Sequence, residues 1–159
     1  MGGHPLEMYV LAREQLVPRS REELFPFFAD ARNLARITPA ALGFRILNDG
    51  PIEMRAGATI DYRIKIAALP IRWRTVIELW EPPVRFVDVQ AKGPYALWRH
   101  THIFEAVPAG TVMRDRVEYA LPFGPVGRLV HRLIVARQLE TIFAFREQII
   151  RSLFPPPTP

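Results

Sequence analysis

The sequence predicts an α+β fold in which a curved antiparallel sheet of six to seven strands surrounds a long C-terminal helix, with two short helices after the first strand. Segments of alternating apolar and polar residues follow one another from residue 43 to residue 121, with turn residues between them. Helical patterns occur on both sides of this run. A length of 159 residues, 49% of them hydrophobic, suits a single domain with a sizeable core.

The N-terminal region begins with a strand and continues with two short helices. Residues 8–17 have strand character. Ser20 and Glu23 have the spacing of a capping box, which predicts a helix over residues 21–29. A second short helix is expected over residues 31–37. The order strand, helix, helix therefore precedes the main run of strands.

Six further segments have strand character. They cover residues 43–48, 58–67, 71–81, 85–92, 97–107 and 111–121. The alternation is clearest in the second of these, where one face carries Ile60, Tyr62, Ile64 and Ile66. Consecutive antiparallel pairing of these segments gives the predicted sheet.

The last predicted element, residues 126–154, carries two apolar stripes. On a wheel of 100° per residue the first contains Val126, Leu129, Val130, Leu133 and Ile134. The second, roughly half a turn away, contains Val135, Leu139, Ile142, Phe143, Ile149, Ile150 and Leu153. One straight helix cannot present both stripes to one core, so we predict either a break or bend near residues 134–135 or a helix whose first part packs on something different. We expect the second stripe to pack on the sheet and the first on the N-terminal helices; a gate over the pocket and a dimer contact are the alternatives for the first stripe.

Composition excludes several classes of protein. Without cysteine there are no disulfides and no thiolate chemistry, and no apolar run approaches the roughly 20 residues of a membrane span. The N-terminus lacks the pattern of a signal peptide, so a cytoplasmic location is expected. The net charge is +5, but the arginines are scattered without interleaved aromatic residues, which argues against a nucleic-acid partner.

Ionisable residues on an otherwise apolar sheet face indicate the candidate site. If the turns at residues 82–83 and 93–96 are tight, Asp88 lies opposite His100, and the next hairpin brings Asp115 to the same face. The predicted polar cluster contains Asp88, Gln90, His100, His102, Asp115 and Tyr119. Such groups are costly to bury unless they pair with each other or line a wet cavity.

Three interpretations of this cluster stay open. It is a satisfied buried network that fixes the shape of the core, or it orients a mostly apolar ligand in a cavity, or it is catalytic or holds a metal ion. The candidate catalytic residues are His100, His102, Asp88 and Asp115. No nucleophile motif, phosphate loop or dinucleotide fingerprint is present.

Several short segments resemble a known family. They are residues 33–34, 38–39, 69–74 (LPIRWR), 86–88 (FVD), 93–95 (GPY), 98–102 (WRHTH), 115–119 (DRVEY) and 121–124 (LPFG). Through them, residues 8–154 resemble the SRPBCC superfamily of START lipid-transfer domains, birch-pollen-allergen-like proteins and polyketide cyclases, and look most like its bacterial cyclase/dehydrase-like branch. The resemblance implies a helix-grip fold with a hydrophobic cavity between the sheet and the C-terminal helix. Members of that superfamily bind sterols, lipids, polyketides or plant hormones, and some catalyse ring closure or dehydration.

We therefore expect a protein that binds a small hydrophobic molecule, lipid-like or polyketide-like, and is not an enzyme. The predicted ligand-binding residues are Tyr62, Trp73, Thr75, Phe86, Asp88, Gln90, Trp98, His100, His102, Asp115, Tyr119, Leu139, Ile142 and Phe143. The predicted cavity wall also includes Ile60, Ile64, Ile77 and Phe104. No cofactor and no metal ion are expected, and residues 1–7 and 155–159 are expected to be disordered tails.

Two alternatives accompany this prediction. The first is a cofactor-independent cyclase or dehydratase in which a His–Asp pair moves a proton. The second is a protein-interaction module with a filled core. A homodimer is compatible with each of them.

Overall fold

The structure, a computed structural model, describes residues 6–66 and 68–157. Seven strands form one antiparallel sheet: β1 (Met8–Val17), β2 (Arg45–Ile46), β3 (Thr59–Ile66), β4 (Leu69–Glu81), β5 (Arg85–Lys92), β6 (Leu97–Val107) and β7 (Gly110–Ala120). Their order across the sheet is β1-β7-β6-β5-β4-β3-β2. From β2 to β7, each strand pairs with the next strand along the chain. The first strand, β1, pairs with the last, β7, along its whole length.

The helices lie at the two ends of the chain, as predicted. Helix α1 spans Arg21–Phe28, and two 3-10 helices follow at Ala31–Ala35 and Ala40–Leu42. The C-terminal helical segment consists of α2 (Gly124–Val130), one π-helical turn (His131–Val135) and α3 (Ala136–Leu153). The capping box is present, because the Ser20 side chain accepts from the Glu23 N–H and the Glu23 carboxylate accepts from the Ser20 N–H.

Helix α3 packs its apolar side against the sheet and closes the core. Near its C-terminal end, Ile150 packs with Phe104, Met113 and the phenylalanines of α1. Near its N-terminal end, Leu139 joins a second cluster, which is built on β1 and β7. The predicted helix-grip α+β fold, a curved antiparallel sheet around a long C-terminal helix, is confirmed. No helix in the described ranges is both long and apolar enough to cross a membrane.

Several boundaries differ from the sequence prediction. The β3–β4 turn is shorter than expected, so β4 begins at Leu69, and β2 has only two paired residues. The second short helix is a 3-10 helix that ends at Ala35. For the predicted tails, residues 6–7 and 155–157 have no regular secondary structure, and residues 1–5 and 158–159 lie outside the described residues.

The predicted break is not present: α2 continues into α3 through the π-helical turn His131–Val135, and the backbone is right-handed helical at both ends of that turn. The second apolar stripe packs inward, as expected. The first stripe does not fold onto the N-terminal helices: Val126, Leu129 and Leu133 are more than half exposed. Instead, Gly127 and His131 are the residues of this part that turn inward.

Candidate functional site

The predicted strand pairing places four ionisable side chains together inside the sheet. Asp88 of β5 is directly across from His100 of β6, and His102 is directly across from Asp115 of β7. Because alternate residues of a strand share a face, both histidines and both carboxylates point toward the interior. His100, His102 and Asp115 are buried, and Asp88 is half-buried.

The hydrogen bonds of this cluster cross between strands. His100 Nε2 lies 2.9 Å from Asp115 Oδ1, and His102 Nε2 lies 2.7 Å from Asp88 Oδ2. Of the two directly facing pairs, His102 Nδ1 lies 3.1 Å from Asp115 Oδ1, whereas His100 Nδ1 lies 3.8 Å from Asp88 Oδ2. His100 is therefore held by Asp115 and His102 contacts both carboxylates, so the network joins β5, β6 and β7.

Arg146 of α3 completes the cluster. It falls in the apolar stripe of the helix, and its Nη2 lies 3.2 Å from Asp115 Oδ1. The same Nη2 lies 3.3 Å from His102 Nδ1. His102 Nδ1 also lies 3.1 Å from Asp115 Oδ1, so each ring nitrogen of His102 has a carboxylate oxygen within hydrogen-bond distance. The guanidinium also lies 5.5 Å from the Phe28 ring centroid, within cation–π range.

Burial and pairing shift the pKa values within the cluster. Burial lowers the pKa of His100 to about 4, despite its hydrogen bond with Asp115. Burial also opposes ionisation of Asp115, but Arg146 and the two histidines outweigh it and hold its pKa well below its usual range. Burial also opposes ionisation of Asp88, but its hydrogen bond with His102 and its interactions with both histidines and Arg146 together outweigh burial and lower its pKa. At neutral pH the cluster thus combines two carboxylates, one guanidinium and an unprotonated His100.

Two chambers adjoin the cluster inside the sheet. The first, about 130 Å³, lies toward the N-terminal helices and carries Asp88 and His102 on its wall. The second, about 150 Å³, lies toward the first turns of α3 and is lined by Trp73 and Tyr95 among others. The side chains common to both walls are Leu34, Tyr62, Trp98, His100 and Arg146. The polar cluster therefore stands at the partition between two mainly apolar spaces.

Most of the predicted site residues lie on these walls. The first chamber is lined by Ile60, Thr75, Ile77, Phe86, Asp88 and His102, and the second by Ile64, Trp73, Leu139, Ile142 and Phe143. Tyr62, Trp98 and His100 line both. Asp115 lines neither chamber, but it contacts both His100 and His102, whose side chains do line them.

Three predicted residues lie elsewhere. The Gln90 side chain bonds the backbone of Tyr95 in the β5–β6 turn and lines neither chamber. The Tyr119 hydroxyl lies 2.9 Å from His131 Nε2, at the edge of the sheet covered by the π-helical turn. Phe104 packs in the core with the aromatic rings of α1. These residues share the predicted face, but their positions along the strands take them away from the cavity.

The sequence prediction missed the part of the wall that comes from the N-terminal helices. The first chamber is also lined by Phe27, Phe28, Asp30, Ala31, Asn33, Leu34, Ile37 and Met54. The sequence of α1 is rich in phenylalanine, and its apolar residues cover more of the helix surface than a single packing contact would need. It predicts burial, but it does not reveal that part of the surface faces a cavity.

The donor set of the cluster can be tested for a metal ion. Asp88, His100 and His102 each offer one ligand atom, and these atoms lie within 4.8 Å of one another. However, His102 Nε2 is already bonded to Asp88, and the Arg146 guanidinium lies beside His102 and Asp115. A fixed positive charge at this distance repels a cation. The residues fit a hydrogen-bonded network better than a metal centre.

No protein-family model matches the sequence, and no curated protein is similar to it at the sequence level. Solved structures do match. A protein of Thermus thermophilus has a TM-score of 0.67 and 14% identity over 92% of this chain and 99% of its own. A norcoclaurine synthase point mutant from Thalictrum flavum, in complex with a transition-state analogue, has a TM-score of 0.66 and 15% identity over 95% and 99%.

A third match, Ara h 8.0201, has a TM-score of 0.60 and 14% identity over 92% of this chain and 99% of its own. These likenesses agree with the superfamily that the sequence resembles. At such identities they establish the fold, and function has to be argued from the site.

Proposed function

We propose that this protein binds a small, mainly apolar molecule in the two chambers, with the polar end of the molecule at the partition. The observation that carries the proposal is the buried ionic cluster between two apolar cavities. Ligand sites commonly combine apolar walls with a few polar groups that fix orientation. The chambers also argue against the alternative of an interaction module with a filled core.

The charge of the cluster favours a ligand that donates a hydrogen bond. Two carboxylates with lowered pKa values, Asp88 and Asp115, offer hydrogen-bond acceptors here beside the Arg146 guanidinium. His100 donates from Nε2 to Asp115, which leaves Nδ1 as an acceptor on the shared wall. A hydroxyl or amine can donate to these groups, whereas a carboxylate would meet like charge. We therefore infer an alcohol, phenol or amine as the ligand class, in preference to a fatty acid.

The size of the chambers limits the ligand. An apolar cavity of about 150 Å³ accommodates a single benzene-sized ring. Each chamber here is of that order. Rotation of the Trp98 or Tyr62 side chain at the partition would join the chambers and admit a molecule of two rings. Molecules of one or two rings fit better than a long-chain lipid.

The first experiment is native mass spectrometry of the purified protein, followed by organic extraction and identification of any retained molecule. Calorimetric titration with naphthalene, 2-naphthol and 2-naphthoate then tests the ligand class. We expect 2-naphthol to bind at least tenfold more tightly than 2-naphthoate, because only the phenol donates to the cluster. Equal or tighter binding of 2-naphthoate would contradict the proposed ligand class.

A pair of variants on β3 tests the location. Ile64 lines the second chamber, and its neighbour Arg63 is exposed on the other face of the strand. Ile64→Trp fills the chamber and is expected to weaken 2-naphthol binding more than tenfold, while Arg63→Trp leaves it unchanged. If both variants bind like the wild type, the ligand does not occupy this cavity.

One observation favours a catalytic alternative. His100 is unprotonated at neutral pH, and its Nδ1 lies 3.8 Å from the nearest Asp88 oxygen, beyond hydrogen-bond distance. A free imidazole nitrogen oriented by a carboxylate can act as a general base in a cyclase or dehydratase. If the extracted molecule is converted by fresh protein, His100→Gln should lower turnover by about 10²–10⁴-fold and retain binding. A molecule that is released unchanged favours binding alone.

A further inference from the structure

The first part of the C-terminal segment exposes a continuous set of large apolar side chains. This outer apolar face consists of Phe123, Val126, Leu129, Val130, Leu133 and Ile134. Phe123 is 81% exposed and Leu133 is 68% exposed, whereas Leu139 and Phe143 of α3 are buried. Contiguous exposed apolar residues of this kind mark interaction surfaces in soluble proteins.

Two inward residues fix the orientation of this face. A Cβ atom on Gly127 would lie 2.2 Å from the carbonyl oxygen of Pro122, so only glycine allows the helix to approach the preceding loop this closely. One turn later His131 stacks on Tyr9 with ring centroids 3.5 Å apart, and its Nε2 bonds the Tyr119 hydroxyl. The helix therefore cannot rotate to bury its aliphatic side chains, and their exposure is built into the packing.

The charged residues of the segment that carries the outer apolar face have one sign. Residues 119–139 contain no Asp or Glu, but they contain Arg128, Arg132 and Arg137. Arg128 pairs with Glu7 at 3.5 Å, whereas the other two make no ion pair with any residue in the described ranges. The histidine of this segment adds no charge at neutral pH, because burial lowers the pKa of His131.

The sign of this charge distinguishes between possible occupants of the face. In a symmetric dimer through this surface, the unpaired arginines of both copies would approach each other with no carboxylate in the segment to compensate them. An anionic membrane surface complements both properties, since acyl chains take up the apolar side chains and lipid phosphates attract the arginines. Helices with an apolar face bordered by arginine lie in the plane of such interfaces.

The outer apolar face also continues into an open groove. Leu133 and Ile134 form one side of the groove, and the 3-10 helix Ala40–Leu42 with Pro39 forms the other. Gln138 and Ile142 line both this groove and the second chamber, so the two spaces are separated by these side chains. A molecule that leaves the membrane at the docked helix would therefore reach Gln138 and Ile142, the side chains that separate the groove from the second chamber.

We propose that residues 123–137 form a docking surface for an anionic phospholipid bilayer. The surface lies outside the cavity, so the docking is independent of the proposed function in the chambers. Its two components make separate contributions: the apolar side chains insert, and Arg132 and Arg137 attract the lipid headgroups.

The test is co-sedimentation of the full chain with vesicles of phosphatidylcholine alone or with about 30% phosphatidylglycerol, because anionic lipids attract basic side chains near the membrane surface. We expect binding only to the anionic vesicles and a loss of binding at high salt.

Two double variants test the two components of the surface. Leu129→Gln/Leu133→Gln should weaken vesicle binding at least tenfold. Arg132→Gln/Arg137→Gln should weaken it about 30-fold, because each arginine near the surface contributes about fivefold. The changed side chains are exposed, so circular dichroism should show an unchanged fold.

Leu16→Gln is the matched control, because Leu16 is 53% exposed on β1, away from the outer apolar face. It should bind like the wild type. Failure of the wild-type protein to sediment with anionic vesicles overturns the proposal, as does equal binding by the double leucine variant. A wild-type dimer that this variant converts to a monomer would assign the face to a second copy instead.

Discussion

His100 bonds Asp115 at 2.9 Å, although the residue directly across from Asp115 in the sheet is His102. The side chains reach diagonally across the β6–β7 pair, and His102 in turn reaches back to Asp88 of β5. The Nε2 atoms of the two histidines thus bond carboxylates on opposite sides of their strand, and His102 Nδ1 stays 3.1 Å from Asp115. The arrangement fixes both rings while leaving His100 Nδ1 available on the chamber wall.

Arg146 is expected to contribute most to the stability of this network. Arg146→Met would leave Asp115 buried without its nearest cation, a change that typically costs about 3–5 kcal/mol. The free energy of unfolding in urea measures the loss. Arg132→Met is the control, since Arg132 is exposed, and it should change stability by no more than about 0.5 kcal/mol. Equal stability of the two variants would show that the buried ion pair is not required.

The stability of the protein should fall as the solution becomes mildly acidic. Folded His100 takes up a proton only near its pKa of about 4, whereas an unfolded histidine does so near 6.5. Between these values the unfolded state binds more protons, so the contribution of His100 is complete above pH ~6.5 and is lost toward pH 4. The full loss amounts to about 3 kcal/mol.

Urea unfolding at pH 7.5, 6 and 5 checks this prediction. His100→Gln keeps a donor for Asp115 and cannot titrate, so its stability should depend less on pH than that of the wild type. The lowered pKa of His131 gives a smaller dependence of the same sign, which both proteins share. The two carboxylates affect stability only at lower pH, because Asp88 and Asp115 lose their contribution to stability only below the unfolded pKa of about 3.9. Identical pH profiles for the two proteins would argue against a buried, unprotonated His100.

The sequence predicted which residues share a face better than it predicted their contacts. Period-two alternation and short turns were enough to place Asp88 across from His100, because one strand pairing fixes every residue on both strands. The hydrogen bonds depend on side-chain rotamers, which reach diagonal neighbours as easily as direct ones. The contact of Arg146 with Asp115 joins the C-terminal helix to the sheet, and the spacing of residues along the strands could not identify it.

Gln90 illustrates the limit along a strand. It lies on the predicted face, but near the end of β5, where its amide accepts from the Tyr95 N–H and donates to the Tyr95 carbonyl. The close approach of its side chain to Gly93 completes this turn. Alternation predicts which face of the sheet a residue lies on. Its distance from the turn decides whether its side chain lines the cavity or bonds to the turn.

Gln90→Ala should therefore affect stability and not binding. The loss of two hydrogen bonds to the β5–β6 turn should cost about 1–2 kcal/mol in urea unfolding. The calorimetric Kd for 2-naphthol should stay within about twofold of the wild type. Lys92→Ala, at an exposed position of the same strand, controls for the strand and should change neither quantity. A large loss of affinity in Gln90→Ala would place this side chain back in the ligand site.

Gly127→Ala tests the close packing that orients the first part of the C-terminal segment. In an ordinary helix this change stabilises by about 1 kcal/mol, because alanine has the higher helix propensity. Here the new methyl group would lie 2.2 Å from the Pro122 carbonyl oxygen and 3.3 Å from Leu121 Cβ. We expect a loss of about 1–3 kcal/mol, since the backbone must move to relieve the clash.

Thermal and urea unfolding measure this change, with Arg128→Ala as the control at the next, exposed helical position. A shift of α2 away from the loop should also weaken the stacking of His131 on Tyr9, which NMR can follow through the ring protons of both residues. If Gly127→Ala is as stable as the wild type or more stable, the contact with Pro122 does not hold the helix. The outward orientation of its leucines would then have to be set by the π-helical turn alone.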